Sequence, residues 1–320
     1  MVGSALAHTL EGRGADVVGA ERSALDLRRQ ADVERWLASA RVDGIVIAAG
    51  TVGGIRANDT YPADFLYDNL MIAANIIGAA ARVGVRKLVM LGSSCMYPRL
   101  APQPVKEEAL LTGPLEPTNE WFSIAKIAAL KMCQAYRRQH GHDFITVIPT
   151  NLYGPGDDFD LETGHVISAL IRKIEAGLTR GGPVEIWGTG RPRREFLYVD
   201  DAADAIAALM ESYSGEAPVN IAGGETVSIA ELADLIAEVV GYQAKFFFDE
   251  SKPDGTPIKQ LDNGKIAAMN IWQPRVSLRD GLQSTYRWYR ETVASPRGVE
   301  AATPTLPSVR SPRHGIGHAR

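Results

Sequence analysis

Short, nearly continuous apolar runs alternate with stretches of helical spacing through the first half of the chain. Asp16-Val17-Val18-Gly19-Ala20 reads as a strand and residues 29–40 as a helix. Gly44-Ile45-Val46-Ile47-Ala48-Ala49-Gly50 reads as a buried strand, and residues 62–84 carry helical periodicity. Lys87-Leu88-Val89-Met90-Leu91 is a further strand, 119–140 a long helix, and Phe144-Ile145-Thr146-Val147-Ile148 another strand. Strands that are apolar on both faces and separated by helices predict a parallel sheet covered on both sides. Ligands of such sheets bind beyond the carboxyl ends of the strands. Thr51, Ser93 and Asn151 all fall just past such ends.

The second half is less regular. Residues 163–178 read as a helix, Val184-Glu185-Ile186-Trp187 as a short strand, and 226–241 as an amphipathic helix opened by Ser228. Phe246-Phe247-Phe248 reads as a strand and 279–294 as a final helix. From Ser295 the composition turns to Pro, Ser, Arg and Gly with few large apolar residues. Such a segment cannot bury enough surface to offset its ordering entropy, so residues 295–320 are expected to be disordered.

Composition narrows the classes. The chain has 320 residues, 45% of them hydrophobic, enough for one large α/β unit or two closely joined lobes. A net charge of -4, mixed along the chain, gives no case for nucleic acid or an anionic membrane as partner. Two cysteines, Cys95 and Cys133, make no disulfide framework and fit a reducing cytoplasm. No apolar run is long enough to span a bilayer, and the N-terminus lacks the basic flank and apolar core of a signal peptide. No clustered Cys/His spacing argues for a metal.

The chemistry concentrates in two segments, Gly92-Ser93-Ser94-Cys95-Met96-Tyr97-Pro98 and Asn119-Glu120-Trp121-Phe122-Ser123-Ile124-Ala125-Lys126. The first resembles the catalytic serine strand end of extended short-chain dehydrogenase/reductases, and its Cys two residues after the Ser resembles the GDP-L-fucose synthase branch. The second stands where that family has a Tyr-x-x-x-Lys helix. Lys126 is present, but the Tyr position holds Phe122. The resemblance extends through about residues 1–294. It is carried by Val52-Gly53-Gly54-Ile55 with Ala57-Asn58-Asp59-Thr60-Tyr61-Pro62, Leu115-Glu116-Pro117-Thr118-Asn119-Glu120 and Pro149-Thr150-Asn151-Leu152-Tyr153-Gly154-Pro155. Arg194-Glu195-Phe196-Leu197 and Ser251-Lys252-Pro253-Asp254-Gly255-Thr256-Pro257 carry it further.

The resemblance implies a Rossmann-type doubly wound parallel sheet with a smaller α/β substrate lobe. Residues 1–160 and 187–216 would form the NADP-binding domain, and 161–186 with 217–294 the lobe. It implies a cytoplasmic homodimer built on the helices at 62–84 and 119–140. It also implies NADPH-dependent conversion of a GDP-4-keto-6-deoxy sugar, by epimerisation at two carbons and then reduction.

Residue by residue, Ser93 would hydrogen-bond the substrate ketone and stabilise oxyanion charge. On its own, a serine there more often caps a turn. Cys95 and His165 match the epimerisation pair, two titratable groups that can exchange a proton on opposite faces of the ring. Their bland alternatives are a small buried hydrophobe and a helix-start surface histidine. Cys133 keeps a core role. Lys126, four residues after Phe122 and on the same helix face, would hold the nicotinamide ribose. In the family it also lowers the pKa of the phenol, for which Phe122 offers no donor. A Phe there is otherwise ordinary core, and nothing in the sequence promotes Tyr97 as a substitute.

Cofactor contacts are expected from Gly3, Arg22, Asp26, Leu27, Lys126, Asn151, Leu152 and His165. Arg22 favours the 2′-phosphate of NADP, although Glu21 beside it could accept the 2′-OH of NAD. Gly3 is the last glycine of a Gly-rich turn whose preceding strand is not written in the chain. A start assigned too far downstream is favoured over genuine loss, because a central parallel strand is costly to omit. Asn151, Lys173, Trp187, Arg194 and Lys259 are the expected substrate contacts. Arg194 would hold the pyrophosphate, Lys173 and Lys259 the nucleotide phosphates or ribose, and Trp187 would flank the sugar nucleotide. Arg194 also reads as a solvated charge in the run Arg191-Pro192-Arg193-Arg194. Where the family has Pro-Arg-Lys-Leu-Leu-Asp, this chain has Pro257-Ile258-Lys259-Gln260-Leu261-Asp262.

Overall fold

The structure is a computed structural model that describes residues 1–161, 163–243, 245–252 and 254–294; the expected tail lies outside them. The chain opens with helix α1 (Val2–Gly12) and α2 (Gln30–Ala40), then enters strand β1 (Gly44–Ile47). A short α3 (Ile55–Thr60) leads into the long α4 (Pro62–Val83), with proline in the first turn and Gly84 in a left-handed C-cap. Strand β2 (Lys87–Leu91), α5 (Glu120–His140), β3 (Asp143–Pro149) and β4 (Asn151–Tyr153) follow. Then come α6 (Val166–Arg180), β5 (Val184–Trp187), β6 (Arg193–Tyr198), α7 (Val199–Ser212), β7 (Val219–Ile221) and β8 (Thr226–Ser228). The described chain closes with α8 (Ile229–Val240), β9 (Phe246–Asp249), β10 (Ile258–Lys259), α9 (Gly264–Met269) and α10 (Leu278–Thr292).

The main sheet is parallel, in the order β1-β2-β3-β7. Alternation along β2 sends Leu88 and Met90 into a cluster with α2, α4 and α5. It sends Val89 and Leu91 to the opposite face, against Leu6 of α1 and the alanine-rich α7. Helices therefore cover both faces, as the apolar strands required. A second sheet, β10-β6-β4 with β8 antiparallel on β6, and the pair β5-β9 stand apart from the first. Next to them α6, α8 and α10 share their own core, which includes Ile171, Ile174, Leu232 and Tyr289. Ser228 caps α8 by accepting from the Glu231 amide, and Glu231 accepts in return from the Ser228 amide.

Asp16–Ala20 is not a strand. The segment is extended and solvent-facing, with Val18 51% exposed. Among the described residues β1 pairs only with β2, so an apolar run at 16–20 has no neighbouring ladder to join. The strand expected over 44–50 stops at Ile47, where the chain turns toward the site.

Candidate functional site

The site forms where β1 and β2 end. Gly92 lets the chain pass beneath its neighbours: a Cβ there would stand 2.9 Å from Met96 Sδ and 3.1 Å from Ile148 Cγ1. The following residues wind into a single 3-10 turn, Ser94–Met96, capped by Ser93, whose Oγ accepts from the Cys95 amide at 3.3 Å. That bond uses only the oxygen's acceptor capacity and leaves the hydroxyl proton to donate. Ser123 of α5 donates to the Cys95 carbonyl at 2.9 Å, which locks the turn to the start of the long helix.

Lys126 lies one turn further along α5. Its ammonium is buried and donates to the Leu91 carbonyl at 3.0 Å, and burial pushes it down to about 8. It also lies over the Phe122 ring, 5.7 Å from the centroid. Phe122 is 8% exposed and meets Phe65 edge-to-face at 6.4 Å. Ala57, Phe65 and Phe122 form one small apolar cluster on which Cys95 packs. The phenyl ring thus fills its place, with no hydroxyl at its tip. Tyr97 is not a substitute. It is buried, its hydroxyl donates to Asn220 Oδ1 at 2.6 Å, and burial raises its pKa far above the usual phenol range. Cys133 sits in the core and burial pushes it up to about 12, consistent with a packing role.

Thr51, after β1, donates from its hydroxyl to Asp68 at 3.0 Å and from its amide to Asn69 at 3.2 Å. Asp68 also takes Arg28 at 3.1 Å, and Arg28 in turn clamps Asp26 at 2.9 Å, which holds that carboxyl down at about 2. Leu27 is half-buried beside these groups, with its carbonyl accepting from Asn75 at 3.0 Å. Arg22 stands exposed in the turn before them. Gly3 lies in the first turn of α1, near Ala48 at the end of β1.

His165 is the N-cap of α6 and is approached through the Gly53-Gly54 segment. The Gly54 amide donates to Thr163 O at 2.8 Å, and a Cβ on Gly54 would stand 2.9 Å from Gly164 O. Gly164, the residue before His165, thus packs against Gly54, and Cys95 packs on the cluster of Ala57, Phe65 and Phe122. Asp157 stands 3.7 Å from His165 Nδ1 and raises the imidazole pKa, against a smaller opposing effect of burial.

A second group of residues gathers on β6, β10 and α6. Strand register sets Lys259 directly beside Arg194. Arg194 contacts Asp254 O at 3.4 Å and the neighbouring Arg193 O at 2.9 Å, and burial lowers its pKa. Lys173 and Lys252 flank the Trp187 ring at 5.3 and 5.7 Å. Asn151 donates to Glu195 O at 2.7 Å, next to the half-buried Leu152. Sequence reasoning missed Asp254. Its carboxylate accepts from the Thr189 amide at 2.7 Å and hydroxyl at 2.8 Å, pinning the loop beside Arg194. The signal was present in Pro253-Asp254-Gly255-Thr256, a stretch quoted for its resemblance but given no role. The Lys259 ammonium, expected at the nucleotide phosphates or ribose, reaches Cys95 Sγ at 3.3 Å.

A parallel sheet covered by helices on both faces, with Ser93, Cys95 and Lys126 gathered where β2 ends, is the architecture of a dinucleotide-dependent enzyme. The NAD dependent epimerase/dehydratase family model matches residues 1–222. The probable GDP-L-fucose synthase 1 of Oryza sativa subsp. japonica is 54% identical over 300 residues, which are 93% of this chain and 91% of the rice protein. A GDP-6-OMe-4-keto-L-xylo-heptose reductase from C. jejuni has a TM-score of 0.85 at 34% identity, covering 91% of this chain and 94% of that one. A GDP-L-fucose synthetase from Naegleria fowleri, solved bound to NADP, has a TM-score of 0.84 at 27% identity, covering 92% of each chain. The chain belongs to the NAD dependent epimerase/dehydratase family and, within it, to the GDP-L-fucose synthases.

The Asp157–His165 contact predicts a pH signature. A histidine whose pKa is raised on folding contributes stability that is full below its unfolded value, about 6.5, and vanishes as pH rises through the folded value. Asp157→Asn should lower the His165 titration midpoint in NMR and cost more stability at pH 6 than at pH 9. An unchanged midpoint would show that Asp157 does not act on the imidazole.

Proposed function

We propose that this chain binds NADPH and GDP-4-keto-6-deoxy-D-mannose, epimerises the carbons beside the ketone, and reduces the ketone to give GDP-L-fucose. The observation that carries this reading is the convergence at the end of β2 and the start of α5. There Ser93 offers a proton, Cys95 a sulfur, and Lys126 a buried ammonium, and His165 directly follows Gly164, which packs against Gly54.

The residues at this end fit the cofactor. A Cβ on Gly50 would lie 2.8 Å from Asn69 Oδ1 and 3.8 Å from Lys126 Nζ, so a bare backbone faces the lysine expected to hold the ribose. Thr51, Ser93 and Lys126 would hold the nicotinamide ribose, with Asn151, Leu152 and His165 beside it, Asp26 and Leu27 toward the adenine, Arg22 at the 2′-phosphate and Gly3 at the pyrophosphate. Bound NADPH supplies a hydride to the ketone carbon. Ser93 would donate to the ketone oxygen throughout, first as charge develops there in the enolate and again as it develops there in the alkoxide. Cys95 and His165 remove and return the carbon-bound proton from opposite faces. Lys173 and Trp187 would hold the nucleotide, and Arg194 its pyrophosphate. No helix among the described residues is long and apolar enough to cross a membrane, and a cytoplasmic site of action is proposed with the rest.

Phe122 favours a second reading of the balance between the two steps. The proton for the nascent C4 alkoxide has no phenol to come from, so reduction is proposed to be slow while epimerisation proceeds. A positioned general acid is worth roughly 10²- to 10⁴-fold in rate. Phe122→Tyr should therefore raise NADPH oxidation with GDP-4-keto-6-deoxymannose by roughly 10²- to 10⁴-fold. The buried Lys126 ammonium beside the ring would lower the new phenol's pKa. Equal rates would mean that another group already protonates the C4 alkoxide oxygen.

Helices α4 and α5 pack on one another and leave Tyr67, Trp121 and Ile124 exposed at 58%, 44% and 39%. We propose that their outer faces form a homodimer's four-helix interface. Sedimentation velocity at micromolar protein should show a dimer that Tyr67→Glu with Ile124→Glu dissociates; a wild-type monomer would contradict the proposal.

A further inference from the structure

Cys95 Sγ receives two N–H donors. Asn119 Nδ2 lies at 3.2 Å and Lys259 Nζ at 3.3 Å. The two come from distant parts of the chain, and both are held in place. Asn119 ends the 3-10 turn that leads into α5, with its backbone amide donating to Glu116 O at 3.1 Å. Lys259 sits in β10, paired to β6 on one side. On the other side Val105 bridges Leu261, with the Val105 amide donating to Gln260 O and the Asp262 amide to Val105 O, each at 2.8 Å. The Gln260 amide adds a bond to Gln103 Oε1 at 2.8 Å.

An ammonium donates and never accepts, and a neutral thiol is a weak acceptor, whereas a thiolate is a strong one. The arrangement around the sulfur thus suits S⁻ and gains little from S–H. Other charges near the sulfur divide. Arg194, the register partner of Lys259, adds a second positive charge that interacts with Cys95. Glu116 is the nearby carboxylate, and it is bridged to Arg99 at 3.1 Å. Asp254 is occupied with Thr189.

We infer that Lys259 is a positioning residue that holds Cys95 as the thiolate for proton removal, and does not serve the nucleotide phosphates. The inference rests on Cys95 being the proton acceptor of the epimerisation. In that step the C–H bond beside the ketone breaks and an S–H bond forms. The electron pair passes to the ketone oxygen, where Ser93 donates. Lys259 keeps its protons throughout and acts only through the sulfur.

The test needs no substrate. Alkylation of Cys95 by iodoacetamide forms an S–C bond with loss of iodide, and its rate follows the thiolate fraction. Peptide mass spectrometry separates it from the buried Cys133. Lys259→Met should slow alkylation of Cys95 about tenfold at pH 7 and leave it unchanged at pH 10, where a free thiol is ionised without help. Lys259→Arg should restore most of the rate, and GDP affinity should stay level; Lys259→Gln serves if the Met variant does not fold. Equal rates at pH 7 would overturn the inference. So would equal slowing at both pH values, which would mark a role in access, or lost GDP affinity with alkylation unchanged. If instead Cys95→Ser epimerises normally while the alkylation result stands, the acid/base role of Cys95 fails and the Lys259 contact survives.

Discussion

One buried contact orders the site: the Lys126 ammonium donating to the Leu91 carbonyl. Leu91 is the last residue of β2, paired to Val147 of β3 one step beyond the end of the β1 ladder at Met90. An ammonium taken out of water must find an acceptor or lose its proton. This one finds the strand's end, and burial still brings it down to about 8. The contact sets α5 against β2, and with that register Ser123 meets the Cys95 carbonyl and Phe122 meets Phe65. The Ser94–Met96 turn, the apolar cluster and the face beside Gly50 all lie around this contact.

Within that frame Phe122 is conservative in packing and radical in chemistry. The ring keeps its edge-to-face contact and stays beside Lys126, so the fold gives no sign of strain. The loss proposed for it falls on proton supply to the C4 oxygen. Groups proposed for epimerisation use a different set of contacts, through Asn119, Lys259 and Asp157. The two proposed half-reactions share Ser93 but draw their protons from different groups, so a single substitution at Phe122 is expected to separate them.

The first half of the fold was readable because its strands are buried on both faces and its helices are long. Lys87–Leu91 and Glu120–His140 stand almost where periodicity puts them. Asp16–Ala20 failed because an apolar run becomes a strand only where a ladder receives it. Elements of the second half escaped for other reasons. Strand β6 opens with Arg193-Arg194-Glu195, which reads as a charged loop, and Glu195 is buried only because it accepts from the Gly224 and Leu261 amides. Strand β7 has three residues, too few for a period. At the site, Ser93, Cys95, Phe122 and Lys126 were legible because two short segments carry the family resemblance. The Lys259–Cys95 contact spans 164 positions and depends on the pairing of β10 with β6, which no local pattern encodes. Asp254 was hidden for the same reason, since its partner Thr189 lies 65 positions away.

The central claim is that Cys95 drives proton exchange independently of reduction. The direct measurement is deuterium incorporation into GDP-4-keto-6-deoxymannose in heavy water, followed with and without NADPH, alongside NADPH oxidation in the same mixture. Deuterium should enter beside the ketone without NADPH, should outpace NADPH oxidation when it is present, and should be lost in Cys95→Ser. Incorporation that persists in Cys95→Ser, or that never exceeds NADPH oxidation, would contradict the account.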